Sequence, residues 1–386
     1  MSRHILPEPP AELKRLSAAL CGRIRDEIRT NGPMPFAHFM ERALYEPGLG
    51  YYSAGLHKFG ASGDFVTAPE TGSLFAACLA GQARELAALL GRYDILEVGA
   101  GSGRLAADLL RLLDAEQAPR RYLILERSAD LRKVQREWIA AAGDGLLERV
   151  QWLDRPPAED WQGLLLANEV IDALAVERFR VAAGRVEQVC VREADGGFDW
   201  AYRPAPAELE RAVRALGVDF ADGYRSEILL HLSAWLAAMT QRLSRGLALF
   251  IDYGYPRSEY YLPERRDGTL MCHYRHRAHD DVFFWPGLQD ITAWVDFTAL
   301  AEAADGCGLE VEGYTSQAMF LLGCGMDRIL TAEMETAEDG GLAIGMEAKQ
   351  LTLPALLGER FKAMGLGRGI ERPLRGFSLQ DLRHQL

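Results

Sequence analysis

Residues 93–103 read Tyr-Asp-Ile-Leu-Glu-Val-Gly-Ala-Gly-Ser-Gly, and this stretch constrains the fold more than any other. A short apolar run stops at Gly99, and Leu105, Leu109, Leu112 and Leu113 then recur at helical spacing. The segment predicts a buried strand, a tight glycine turn and a helix opening directly behind it. Glycine lets the backbone bend sharply and approach a ligand with no Cβ in the way. A helix N-terminus presents unbonded N–H groups to an electronegative group.

The same alternation continues downstream. An apolar strand over 122–125 stops at Glu126, and Ser128 then caps a helix whose expected apolar stripe is Leu131, Val134, Trp138 and Ile139. Residues 150–153 give a third strand, and 163–167 a fourth that stops at Asn168-Glu169. A long helix carrying Ile228, Leu232, Trp235, Leu236, Met239 and Leu243 leads into a fifth strand, 247–251, stopping at Asp252. Strands and helices alternating at these lengths predict an α/β fold: a parallel sheet with helices on both faces. Asp290 is placed to cap a helix running to about Ala304, and strands near 309–314 and 317–323 are expected to close the sheet.

Two stretches interrupt the pattern. Residues 177–203 alternate like strands, with turns at Ala183-Gly184 and Asp195-Gly196-Gly197, and read as an antiparallel hairpin insertion. Residues 255–290 are polar, aromatic and irregular, as functional loops of that length are. The expected organisation is three-part. Residues 1–75 form a helical extension and lid, beginning with an amphipathic helix over 11–29. Residues 76–325 form the ligand-binding domain, with insertions at about 177–225 and 255–290. Residues 326–386 form a mainly helical segment.

Composition excludes several classes. Hydrophobic residues make up 48% of the 386, which is globular rather than disordered. No apolar run reaches the roughly 18 residues of a membrane span. Asp and Glu outnumber Lys and Arg by 55 to 43, a net charge of −12 that disfavours nucleic acid as a partner. The six cysteines are scattered without a C-x-x-C pair, so neither a disulfide framework nor a zinc site is expected. The first thirty residues carry Glu8, Glu12, Asp26 and Glu27 and no apolar leader, so the expected location is the cytoplasm.

The glycine spacing selects the ligand. A dinucleotide fingerprint needs G-x-G-x-x-G, but here the third glycine comes one position early and Arg104 takes its place. The phosphate-cradling G-x-x-x-x-G-K-[ST] is absent. Glu97 followed by Gly99, Gly101 and Gly103 suits a nucleoside with an amino-acid tail. Backbone N–H groups meet the carboxylate and Glu97 meets the ammonium. Glu126, ending the next strand, is placed to accept from both ribose hydroxyls. The expected cofactor is S-adenosyl-L-methionine; the plainer alternative is a tight strand–helix turn beside an exposed Glu126.

Five blocks, in order, resemble the MidA-type class I methyltransferases. They are Tyr45-Glu46-Pro47-Gly48-x-Gly50-Tyr51-Tyr52, Gly63-Asp64-Phe65-Val66-Thr67-Ala68-Pro69-Glu70, the glycine loop, Ala167-Asn168-Glu169-Val170-Ile171-Asp172-Ala173, and Asp290-Ile291-Thr292-Ala293-Trp294-Val295-Asp296-Phe297-Thr298. The resemblance covers roughly residues 30–325. It implies a Rossmann-like seven-stranded sheet and S-adenosyl-L-methionine as methyl donor. The family includes the mitochondrial member needed to assemble the respiratory NADH:ubiquinone oxidoreductase, and for that member it implies methylation of a protein arginine. Ala68 stands where the family commonly has serine, and Val170-Ile171 where an aromatic pair is frequent.

Methyl transfer from a sulfonium is an in-line displacement, so the protein must align acceptor, methyl and sulfur and exclude water. Carboxylates can grip a guanidinium in a fork and take a proton from it. Glu169 is the expected acceptor-orienting group with Asp172 beside it; for Asp172 a helix cap is the competing reading, and for Asp252 a strand-terminal turn. Asn168, Asp64 and Thr67 are further donor-binding candidates, the last two in a lid segment. Thr67 and Glu70 also satisfy a T-x-x-E capping box. His273, His276 and His279 show a metal-like spacing, but Arg275 and Arg277 between them would repel a cation, so no metal is expected. The preferred acceptor is a protein side chain. A small-molecule methyltransferase, a non-catalytic assembly factor and, more distantly, a nicotinamide oxidoreductase are the rivals.

Overall fold

The computed structural model describes residues 6–54, 67–113, 116–337, 340–354 and 356–386. The chain divides into two compact units. The first comprises Met1–Phe65, Asp172–His231 and Arg257–Trp294, and the second Val66–Ile171, Leu232–Pro256 and Val295–Leu386. This replaces the expected boundaries at 75/76 and 325/326, because the insertions gather with the N-terminal stretch into a unit of their own.

The second unit is built on seven strands: β1 Asp94–Val98, β2 Tyr122–Leu125, β3 Val150–Leu153, β4 Trp161–Asn168, β5 Leu243–Tyr255, β6 Glu310–Ser316 and β7 Phe361–Arg368. Their order is β6-β7-β5-β4-β1-β2-β3. β1 to β5 run parallel, and β7 runs antiparallel between β5 and β6. Val295–Asp296 adds a short parallel pairing at the end of β5. Every residue of β1 is buried, so both sheet faces are covered. The helices are α1 Leu74–Leu90, α2 Arg104–Leu112, α3 Ala129–Ala142, α4 Leu232–Thr240, α5 Phe297–Gly306, α6 Gln317–Gly323, α7 Met326–Thr336 and α8 Leu342–Thr352. One apolar core joins α1, α2 and α6 to the strands through Phe75, Leu105, Leu109, Ile124, Leu249 and Phe320. The strand order reverses at β1 and β4, and ligands of open α/β sheets bind outside the carboxyl ends of the strands at such a point.

Several elements depart from the sequence reading. Ile228 ends a strand of the first unit and Leu243 opens β5, so the long helix shrinks to α4. Residues 317–323 are the helix α6, capped by Ser316, whose Oγ accepts from Met319 N–H at 3.3 Å. The last strand comes instead from the stretch read as helical. Asp290 caps no helix; it lies in the strand Asp290–Thr292, and Asp296 Oδ1 caps α5 by accepting from Ala299 N–H at 3.1 Å.

The first unit carries the helices Ala11–Asn31 and Phe36–Tyr45. Its larger sheet pairs Glu177–Ala182, Arg185–Ala194 and Gly197–Pro204 antiparallel, as the turn residues indicate; Ala183, Gly184 and Gly196 all take positive φ. A smaller sheet places Met271–Tyr274 between Arg277–His279 and Asp290–Thr292. The tyrosine block packs inward here. Tyr45 stacks on Tyr52 at 5.5 Å, and Tyr52 Oη donates to Asp290 Oδ1 at 3.0 Å.

Candidate active site

The glycine loop connects β1 to α2 with Gly99, Gly101 and Gly103 all at positive φ. At Gly103, φ +85, a Cβ would also lie 2.9 Å from Gln135 Cα, so both conformation and space demand glycine. Glu97 sits one residue inside the end of β1 and is buried. Tyr122 Oη donates to its Oε2 at 2.7 Å. Burial, reinforced by the charge of Glu126, pushes the Glu97 carboxyl up to about 7.

Glu126 follows β2 and is held in place by two donors, Ser128 N–H at 2.8 Å and Gln135 Nε2 at 3.2 Å. Gln135 also donates to Gly101 O at 3.1 Å and accepts from Trp152 Nε1 at 2.8 Å. One amide thus ties the carboxylate to the glycine loop. Sequence reasoning missed it: the buried line of α3 is Leu131, Gln135 and Ile139, while Val134 and Trp138 are exposed. A glutamine at i, i+4 spacing from both Leu131 and Ile139 was the available signal.

At the end of β4, Asn168 Oδ1 is a buried acceptor with no hydrogen-bond partner among the described residues. Buried polar atoms without partners are uncommon, and one beside this crevice fits a ligand that brings a donor. Glu169 follows with φ 54, a left-handed backbone that a non-glycine residue adopts at a cost of roughly 1–2 kcal/mol. Its N–H bonds Ile251 O at 2.9 Å. Its carboxylate accepts from Tyr253 Oη and Asn168 Nδ2, each at 3.1 Å, and from Ala68 N–H. Burial, then the neighbouring Asp252, pushes Glu169 up to about 8. Asp252 is itself buried and takes the N–H groups of Val170, Ile171 and Tyr253 at 3.2, 2.9 and 2.9 Å. It fixes the turn after β4 from inside β5, which runs on to Tyr255, so Asp252 is not the strand-terminal turn residue of the competing reading.

Asp172 belongs to the first unit, is buried, and accepts Ala293 N–H at its carbonyl at 2.9 Å. A turn follows it, so the helix-cap reading fails. Thr67 starts the short helical turn Ala68–Thr71 but makes no side-chain cap bond, so the capping box is not formed. Glu70 instead accepts from Ser102 Oγ within the glycine loop, and Arg104 Nη1 donates to Glu70 O at 2.8 Å. Asp64 lies outside the described residues. His273 and His279 lie on the two strands of a hairpin whose turn carries Arg275 and His276 at positive φ.

An open sheet of this order, with a three-glycine loop after β1 and an acidic residue after β2, defines a class I methyltransferase domain. A family profile described as "Putative S-adenosyl-L-methionine-dependent methyltransferase" matches residues 76–315. A Burkholderia thailandensis protein, solved with S-adenosyl-homocysteine bound, is 42% identical with a TM-score of 0.94, covering 99% of this chain and all of that one. The protein arginine methyltransferase NDUFAF7 homolog of Drosophila melanogaster is 28% identical, covering 96% of this chain and 93% of its own. The Mus musculus NDUFAF7 is 27% identical over 92% and 86%. The chain belongs to this family of S-adenosyl-L-methionine-dependent methyltransferases.

Proposed function

We propose that the protein methylates a protein side chain, an arginine guanidinium, and that Glu169 receives it. Bound S-adenosyl-L-methionine supplies the methyl group on a sulfonium leaving group. The N–H groups around Gly99–Gly103 and Glu97 would hold its amino-acid end, Glu126 its ribose, and Asn168 Oδ1 would accept a donor from it. Thr67, beside the Ala68–Thr71 turn, would line the donor side as well. Glu169 performs the acceptor step. Its carboxyl, held near 8 by burial, is mostly protonated at neutral pH and ionises when a cation arrives. As carboxylate it fixes the planar guanidinium by paired hydrogen bonds and takes the proton the methylated nitrogen sheds.

The observation that carries the proposal is Glu169 itself: a strained backbone and three donors hold one carboxylate at the end of β4. The relatives named protein arginine methyltransferases support the same acceptor. Tritium transfer from labelled S-adenosyl-L-methionine into a cell lysate, resolved by size and followed by amino-acid analysis, tests it. Methylarginine in protein is expected; label confined to low-mass material contradicts it. We further place the protein in a reducing compartment, the cytoplasm, on its six free cysteines; cell fractionation checks this.

A further inference from the structure

The turn Ala68–Thr71 touches both sides of the reaction machinery. Ala68 N–H donates to the Glu169 carboxylate. Glu70 binds Ser102 of the glycine loop through its carboxylate and Arg104 of α2 through its carbonyl. Thr71 Oγ1 closes the turn on Ala68 O at 2.7 Å. A residue distant in sequence anchors its trailing end. Glu347, buried on the inward side of α8 with Ala348 and Leu351, accepts Leu74 N–H at 2.8 Å, and Ser73 and Phe75 N–H also donate to it. These are the unbonded groups that open α1, whose own Ser73 makes no side-chain cap bond. A carboxylate is favoured there by the helix dipole, and the charge of Arg104 supports it. Gly72 leaves the space: a Cβ on it would lie 1.9 Å from Glu347 Oε2.

We infer that Glu347 is a positioning residue for methyl transfer: from the helical connection between β6 and β7 it fixes the joint 72–74, and through it the turn that links the donor loop to Glu169. Its acceptor side rests on the reading of Glu169 given above; its donor side stands on Glu70, Ser102 and Arg104 alone.

Calorimetry of the full chain with S-adenosyl-L-methionine tests the donor side, with melting curves to confirm folding. Glu347→Ala is expected to weaken donor binding about tenfold, the loss of a charge-assisted hydrogen bond. Glu347→Gln, whose amide oxygen still accepts from Leu74, is expected to recover most of it, whereas Glu347→Met, which keeps the bulk without the acceptor, is not; recovery by Glu347→Met would reduce the residue to packing and overturn the inference. Label transfer into lysate protein should show a raised KM for donor with Glu347→Ala. A folded Glu347→Ala with native donor affinity overturns the inference. Where that variant does not fold, Gly72→Ala carries the test, since its Cβ displaces the carboxylate; native affinity there overturns it equally. Full transfer by Glu169→Gln would remove the acceptor reading and leave this donor arm standing.

Discussion

Burial in the fold favours the protonated form of the Glu169 and Glu97 carboxyls, and the consequences for rate and for stability are both measurable. If Glu169 must be ionised to hold the acceptor, kcat/KM should rise with pH and level off above about 8. Glu169→Gln should lower transfer by roughly 10²-fold and abolish that rise; a variant with full rate would show that the carboxylate does not handle the acceptor. Stability carries the opposite slope. The unfolded chain releases these protons near 4.5, whereas the folded protein holds them to about 7 and about 8. Their contribution is therefore complete below about pH 4.5 and disappears as the pH climbs through the folded values. The ligand-free melting temperature should fall between pH 6 and 8.5, and less so in Glu169→Gln. Glu126→Ala should weaken S-adenosyl-L-methionine by roughly 10–100-fold in calorimetry; unchanged affinity would take the ribose away from that side chain. Glu97, Glu126 and Glu169 were legible because each ends or nearly ends a strand, where local sequence alone places it. The contacts of Gln135, Glu70 and Tyr253 were not, because their partners are brought in by tertiary packing.

Elements whose signals are local read correctly, and those set by neighbours did not. β1 with its glycine turn, β2, and the hairpin over 177–203 all announce themselves by apolar runs and turn residues. Residues 317–323 form a short apolar run that periodicity cannot assign, and only Ser316 hinted at a helix. β7 is harder still. Its sequence Phe-Lys-Ala-Met-Gly-Leu-Gly-Arg has no β-branched residue and two glycines. Those glycines are needed by what lies against them: a Cβ on Gly365 would meet the Phe377 ring at 2.7 Å, and one on Gly367 would meet Glu312 at 2.0 Å. The same close approach occurs between β1 and β4, where a Cβ on Gly163 would lie 1.9 Å from Asp94 O. Gly163→Ala should therefore destabilise the protein by about 1–3 kcal/mol in denaturant unfolding. A neutral result would mean that the two strands can separate at no cost.

At the scale of the molecule, neither unit is a continuous piece of chain. β4 and β5 are sheet neighbours, yet the stretch 172–231 of the first unit lies between them in sequence. This interleaving hid the division from a reading that assumed consecutive domains. It also makes the sheet depend on β7. A chain stopped after residue 356 keeps every donor-site residue but leaves β5 and β6 without the strand between them. It should be recovered as insoluble material with no cooperative melt; a soluble, cooperatively melting product would contradict that dependence. The same geometry sets a timetable during synthesis. β5 leaves the ribosome long before its antiparallel partner exists, and an exposed strand edge of that length invites pairing with other chains. Slow translation over the intervening codons would lengthen that exposure, so the yield of active enzyme in cells should track elongation speed there and the supply of chaperones that shield nascent edges.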